Sequence, residues 1–209
     1  MTQTKTDAFV SNYWDYYLEL EAQFSGTKKY VAFDQANNKT FSIEYLKLIQ
    51  AVCSEIDVVA KEIACYYEPT LRAEKTINIQ KWGFVLQNKL PKLENATVTF
   101  KGNWEISPWS NWKYTQYLRR GKVAYKLEAG KTTPFWWTSY NAIKHNRMSI
   151  DENGDLNFHK ANLWTTLNCL AALLILEWLF INVLVADTGD LASNLEYSQL
   201  FNTYKMDIS

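Results

Sequence analysis

The spacing of apolar side chains along the first 90 residues predicts three helices. Residues 7–24 carry an apolar stripe that ends at Ser25-Gly26, and residues 74–90 carry a weaker one. Between them lies the clearest pattern, a seam whose members alternate three and four apart and that ends near Glu68-Pro69. That spacing places every member on one face of a helix, and Ser42 is placed to cap its start. The members of the seam are Leu46, Ile49, Cys53, Ile56, Ala60, Ile63 and Tyr67.

The second half of the chain predicts two more long helices. Thr133-Pro134 offers an N-cap and a proline at the first helical position, which starts a helix that runs to Arg147. The stretch from Asn162 to Ala186 is apolar almost throughout and long enough to span a bilayer. Glu177 lies well inside it, and a carboxylate costs about 2.5–3.5 kcal/mol near a membrane centre. We therefore expect the central helix of a bundle, with a membrane anchor as a less favoured alternative.

Between these halves the spacing of apolar residues changes from the helical period to an alternation of apolar and polar positions. Val98 and Phe100 alternate with polar residues, residues 101–103 resemble a turn, and Trp104 and Ile106 alternate again, which predicts a β-hairpin. We expect Pro108 to Lys131 to be a loop with at most short helical turns, and residues 187–209 to dock as a last short helix. The expected fold is therefore all-α. It is a single domain over residues 1–209, an antiparallel bundle of about five helices with the hairpin and basic loop inserted at about residues 95–132.

Composition narrows the class of protein. Apolar residues make up 47% and charged residues 21% of 209 residues, which excludes a disordered chain. With seven Gly and four Pro, a turn-rich β-sandwich is disfavoured. The three cysteines have no Cys-x-x-Cys spacing, and the start of the chain lacks an apolar signal core, so we expect reduced thiols and a cytoplasmic protein. Two histidines without a ligand cluster predict neither a metal site nor a cofactor.

The net charge of the chain is zero, but its basic and acidic residues are concentrated in different segments. Residues 113–147 carry eight Lys or Arg against one acidic residue, Glu128, a net charge of +7. Residues 148–209 carry two basic against eight acidic residues, a net charge of −6. A basic segment in a neutral chain is typical of a phosphate-binding surface. The alternative is that the basic and acidic segments pair with each other in the fold.

The basic segment ends in the run PFWWTSYNAIKHNR, residues 134–147. On a helix its aromatic stripe would face the core, and Asn141, Lys144 and His145 would lie together on an adjacent face. His145 could act as a general acid or base near neutral pH. Lys144 and Arg147 could bind a phosphate, and Asn141 could orient the imidazole or a ligand. The alternative is a solvated helix end without catalytic function.

The run WWTSYNAIKHNR, together with the apolar helix ANLWTTLNCLAALLIL after an acidic turn, resembles bacterial helical-bundle proteins of the HEPN superfamily. The resemblance extends over residues 7–186 and includes the long helix TFSIEYLKLIQAVCSEIDVVAKE. It implies a helical bundle that forms a homodimer with the catalytic helices facing each other. It also implies a metal-independent ribonuclease in anti-phage defence or a toxin–antitoxin system.

The active motif of that superfamily is an Arg, often followed by a polar residue, with a His four to six residues after the Arg. Here Asn141 matches the polar position and His145 the histidine, whereas Tyr140 stands where the Arg belongs. The resemblance therefore implies His145 and Asn141 as catalytic residues, with Lys144, Arg147 and Tyr140 contacting RNA or a nucleotide. Some relatives are non-catalytic, which leaves a dimerisation or protein-interaction module as the alternative function.

Overall fold

A computed structural model describes residues 4–101, 104–190 and 195–202. In these ranges the chain forms five helices and two small antiparallel sheets, with 59% of residues helical and 12% in strands. The helical segments are α1 (Lys5–Phe9), α2 (Asp15–Gly26), α3 (Ile43–Tyr67), α4 (Ile79–Lys89), α5 (Phe135–Asn146) and α6 (Leu163–Thr188), and the π-helical turn Val10–Trp14 makes α1 and α2 one continuous helix. The strands are β1 (Val98–Phe100), β2 (Trp104–Ile106), β3 (Tyr114–Arg119), β4 (Lys122–Leu127) and β5 (Phe201–Asn202).

Helix α6 lies at the centre, as its sequence predicts. Eighteen of its side chains are buried, including every one from Thr165 to Trp178. Asn162 caps its start by accepting a hydrogen bond from the Thr165 amide at 3.0 Å, and Gly189 ends it in the left-handed conformation. Among the described helices α6 alone is long and apolar enough to cross a membrane, and 67% of its most apolar 18-residue window is buried inside the protein.

Helix α3 packs along α6 through the predicted seam, whose residues are all buried except the partly exposed Tyr67. Its N-cap is Ser42, whose hydroxyl accepts a hydrogen bond from the Tyr45 amide at 3.1 Å. The N-cap of α5 differs from the expected one by one residue. Pro134 occupies that position in place of Thr133 and provides no side-chain cap.

The prediction of an all-α fold is wrong. The predicted hairpin exists as β1 and β2, but its turn residues Gly102 and Asn103 lie outside the described residues. β5 adds to the other edge of β1, so a sheet of order β2-β1-β5 forms where we expected a single hairpin and a final helix. β5 pairs with residues about a hundred positions earlier in the chain. The alternation of apolar and polar residues in a short segment cannot reveal such a distant pairing.

The prediction that Pro108 to Lys131 is a loop is also wrong, because β3 and β4 form a second hairpin there. Its turn is the dipeptide Arg120-Gly121, and both residues have positive φ values, 50° and 74°. Two central residues with positive φ are the geometry of the two-residue turn that suits the twist of a hairpin. Glycine at the second position adopts this geometry without strain.

A cluster of five tryptophans joins the helices to the segment that precedes the second hairpin. Trp82, Trp109, Trp112, Trp136 and Trp137 contact one another with ring centroids 5.0–6.5 Å apart. Two of their indole N–H groups donate hydrogen bonds to backbone carbonyl oxygens. Trp109 donates to Ala172 O at 3.1 Å and Trp136 donates to Pro108 O at 2.8 Å. Trp109 and Trp112 are therefore buried packing residues.

The last described segment is held by one buried carboxylate. Glu21 of α2 accepts hydrogen bonds from Tyr17 Oη at 2.5 Å, from Ser198 Oγ at 2.5 Å and from the amides of Gln199 and Leu200 at 2.5 and 3.2 Å. Hydrogen bonds to an ionised acceptor are stronger than neutral ones. Glu21 therefore fixes the position of residues 198–200, which lead into β5.

We expect Glu21→Gln to lower the free energy of unfolding by at least about 1.5 kcal/mol, because hydrogen bonds to a charged group each contribute about that much or more. Urea unfolding measures the change, and hydrogen exchange should show earlier exchange of the Gln199 and Leu200 amides. Glu19→Gln is the control, since Glu19 lies on the same helix but is exposed. Equal stability of the two variants would contradict the role of Glu21.

Candidate functional site

Helix α5 packs against the core as the sequence predicts. Trp136, Tyr140 and Ile143 of the aromatic stripe are buried against the core, and the indole of Trp136 is fixed by its hydrogen bond to Pro108. The last turn of α5 emerges into solvent, so Lys144, His145 and Arg147 are exposed. Cations at a helix C-terminus are favoured by the helix dipole.

The structure brings some of the predicted site residues together and separates others. Lys144 Nζ lies 3.2 Å from Tyr140 Oη and 5.2 Å from the centre of its ring. Asn141 donates to Trp137 O at 3.0 Å, one turn back on its own helix, so its amide nitrogen does not orient the imidazole of His145. Arg147 Nε similarly donates to Ile143 O at 3.4 Å. Within the part of the chain that the structure describes, no hydrogen bond reaches the His145 side chain.

One copy of the chain therefore presents three separate polar groups at the end of α5 and not an assembled acid–base pair. Lys144 and Arg147 can contact phosphate because their charges face solvent. His145 can exchange protons with a bound substrate, but no second titratable group of the described residues is hydrogen-bonded to it. A catalytic arrangement would need a second copy of the chain or the substrate itself to complete it.

The sequence reveals the basic segment of residues 113–147 but not that part of it forms a projecting surface, the basic hairpin formed by β3 and β4, residues 114–127. Arg119, Arg120 and Lys122 lie at its exposed tip, and the described residues provide none of them with an ion pair. No acidic residue occurs between Lys113 and Glu128. The tip therefore carries three charges that no neighbouring carboxylate neutralises.

The apolar residues of the tip are exposed as well. Leu118 and Val123 face each other across the two strands and are 72% and 53% exposed. Nearer the base, Lys126 Nζ lies 5.3 Å from the centre of the Tyr117 ring. The tip thus combines cations with apolar and aromatic surface, which is the composition of a surface that binds a partner.

The base of the basic hairpin is held rigidly against α4. Gln87 Oε1 accepts from the Tyr114 amide at 2.8 Å, and Gln87 Nε2 donates to Trp112 O at 2.7 Å. Gly83 allows this close packing, because a Cβ at that position would lie 2.6 Å from the Trp112 ring. The hairpin is therefore a fixed projection with a buried base and a solvated tip.

The alternative that the basic and acidic segments neutralise each other finds no support in the described residues. Lys113 pairs with Glu128 at 3.4 Å and Lys131 with Glu94 at 2.5 Å, so neither partner belongs to residues 148–209. In the acidic segment Lys160 pairs with Asp151, which lies in the same segment. The positive charge of the basic hairpin stays available for an external ligand.

One cavity lies between the N-terminal helix, α3 and α6. Its volume is about 550 Å³, and Phe9, Phe180 and Leu184 form much of its apolar wall. At its edge Arg72 makes two hydrogen bonds to Glu62, at 2.8 and 3.2 Å, so these two charges compensate each other.

No group of three or more His, Cys, Asp or Glu side chains that could hold a metal ion occurs in residues 4–101, 104–190 and 195–202.

Glu177 is a buried carboxyl group in the middle of α6. It has no exposed surface, and neither of its oxygens has a hydrogen-bond partner among the residues described. Burial raises the pKa of Glu177 well above 4.5, and the carboxylate of Glu55 on α3 raises it further. Lys144 and His145 are not among the groups that shift this pKa. The group is best described as a neutral acid.

No protein-family model, no curated protein and no solved structure matches this chain. The resemblance to the HEPN superfamily therefore stays a prediction. We infer a function from the surfaces described above.

We expect Glu177→Gln to stabilise the protein above pH 4.5, by up to about 1.4 kcal/mol for each pH unit. The unfolded carboxyl loses its proton near pH 4.5 while the folded one keeps it, so the wild type loses stability as pH rises through this window and the amide does not. Thermal unfolding between pH 4 and 8 measures the difference. The exposed Glu152→Gln is the control and should follow the wild type. A difference between Glu177→Gln and wild type that does not grow with pH would show that the carboxyl is ionised in the fold.

Proposed function

We propose that the protein binds RNA and that the tip of the basic hairpin is the main contact surface. The observation that carries the proposal is the set of three exposed cations, Arg119, Arg120 and Lys122, for which the described residues provide no ion pair. Cations that contact phosphates release counterions from the nucleic acid, and this release supplies most of the sequence-independent affinity. A two-stranded ribbon with Arg side chains at its tip can approach the backbone of an RNA strand without rearrangement of the core.

The exposed end of α5 supplies a second contact surface. Lys144 and Arg147 extend the positive surface of residues 113–147, and Arg147 can bind a phosphate through two hydrogen bonds. The HEPN resemblance adds a homodimer in which two such helix ends would face each other. In that arrangement an RNA strand would contact both copies.

RNA cleavage is the second candidate function, favoured by the exposure of His145 between these two cations. The imidazole would remove the proton of a ribose 2′-hydroxyl, and the 2′-oxygen would attack the adjacent phosphorus and displace the 5′-oxygen. Lys144 and Arg147 would stabilise the charge of the phosphorane, and the leaving 5′-oxygen would take up a proton from solvent water. A non-catalytic interaction module is the opposing function, supported by the hydrogen bonds of Asn141 and Arg147 within their own helix.

We expect the triple variant Arg119→Gln, Arg120→Gln, Lys122→Gln to bind single-stranded RNA more weakly and with less salt dependence. Loss of three phosphate contacts should reduce the slope of log affinity against log salt by about 2. Fluorescence anisotropy of a labelled RNA between 50 and 300 mM salt measures both quantities. The matched control replaces three exposed lysines elsewhere, Lys28, Lys29 and Lys39, by Gln. If both triple variants lose the same affinity, the effect is one of net charge and the hairpin is not the binding surface.

We expect the wild type to cleave a mixed RNA pool without added metal, and His145→Ala to lose this cleavage while keeping its fold and RNA affinity. Because His145 is exposed, its removal leaves the core unchanged. Gel analysis of the products and circular dichroism of both proteins measure the outcome. If neither protein cleaves while both bind RNA, the protein is a binding module. If neither binds RNA and the protein dimerises independently of salt, the interaction module is the better description.

A further inference from the structure

A second cavity, the α5 cleft, lies at the end of α5 opposite His145. It has a volume of about 470 Å³ and is lined by residues 105–108, 110–111 and 132–135 and by Trp164 and Asn168 of α6. None of the basic hairpin residues lines it. The inference drawn from this cleft therefore does not depend on RNA binding by the hairpin.

Two aromatic rings form one wall of the α5 cleft. The rings of Phe135 and Trp164 are parallel to within 8°, with centroids 6.5 Å apart. Phe135 is 44% exposed although it is a large apolar side chain at the start of a well-packed helix. Parallel aromatic rings that remain accessible are surfaces on which a planar heterocycle can stack.

The polar lining of the α5 cleft suits the edge of a heterocycle. Asn168 lies in the second turn of the apolar helix α6 and is only 3% exposed, yet it lines the cleft. Its amide nitrogen donates to Trp164 O at 2.9 Å, and no described group donates to its amide oxygen. An amide oxygen that no protein group donates to, at the wall of an accessible cavity, is a position for a ligand N–H group.

Further donors and acceptors line the same cleft. Ser110 and Thr133 contribute hydroxyl groups, and the first turn of α5 has no side-chain cap on its N–H groups. This lining suits a ligand that carries amino or hydroxyl groups, as a heterocyclic base with its ribose does.

We propose that the α5 cleft binds a nucleoside unit, with its base stacked on Phe135 and Trp164 and the edge of the base hydrogen-bonded to Asn168. The shared chemistry is a planar heterocyclic base with its ribose. It can come from a free nucleotide or from an unpaired nucleotide of an RNA strand.

The test measures the binding of the four nucleoside 5′-monophosphates and of a single-stranded RNA hexamer by calorimetry. Ribose 5-phosphate is the probe that lacks a base and should not bind. We expect Phe135→Ala to weaken binding between about 5-fold and 150-fold, the effect of losing one base–aromatic stack. Tyr30→Ala is the matched control, because Tyr30 is exposed and does not line the cleft, and it should bind as the wild type does.

Position 164 provides a second pair of variants. Trp164→Phe keeps an aromatic ring and should retain most of the binding, whereas Trp164→Leu should lose it at similar stability. Circular dichroism and thermal unfolding check that both variants are folded. Equal losses in the two folded variants would show that binding does not depend on an aromatic ring at this position, and would overturn the proposal.

The two sources of the base are distinguished by the ligands. If the monophosphates bind and Phe135→Ala weakens them, the α5 cleft takes free nucleotides. If the hexamer alone binds and Phe135→Ala weakens it, the cleft takes a base of an RNA strand. The proposal is overturned if Phe135→Ala binds every probe as the wild type does, if ribose 5-phosphate binds as well as the monophosphates, or if no probe binds. RNA affinity that is lost in the hairpin variant but not in Phe135→Ala would leave the proposed function intact.

Discussion

The structure depends on the burial of α6, because a helix that is apolar on all sides must be covered on all sides. Each buried apolar side chain contributes roughly 1.5–3 kcal/mol, and α6 has such side chains in every turn up to Leu184. Helix α3 covers one side along its length, while α1, α2 and α5 cover others. The segment around Trp109, whose indole donates to Ala172 O, covers part of what remains. The β-elements are attached to the outside of this assembly.

The strength of the helical pattern decided what the sequence could predict. The seam of α3 and the length of α6 are local properties of consecutive residues, so both helices and the Ser42 cap follow from the sequence. The hairpin β3–β4 was missed because adjacent cations at Arg119 and Arg120 interrupt its alternation, although Gly121 as the second residue of a two-residue turn is a signal for it. β5 consists of two residues, and its existence depends on β1 and on the carboxylate of Glu21.

The site was predictable in part for the same reason. The helical period places Tyr140 in the core and Lys144 in solvent, as observed. The period does not reveal that Asn141 and Arg147 bond to their own backbone, because these bonds depend on rotamers. Asn168 was visible only as a polar residue in an apolar helix. The cleft that it lines is formed largely by residues 105–108, 110–111 and 132–135, which come together only through the tertiary fold.

The tryptophan cluster connects the surfaces on which the proposed activities depend. Trp112 supports the base of the basic hairpin, Trp136 lies in the first turn of α5, and Trp109 joins both to α6. Phe135 and His145 stand ten residues apart on α5, roughly 15 Å along the helix axis. A base in the α5 cleft and phosphates at the cations would therefore be held by one rigid body. Phosphate contacts set the affinity and position of a strand, whereas base contacts distinguish one nucleotide from another. A rigid platform that carries both kinds of contact can select among RNA strands without a conformational change.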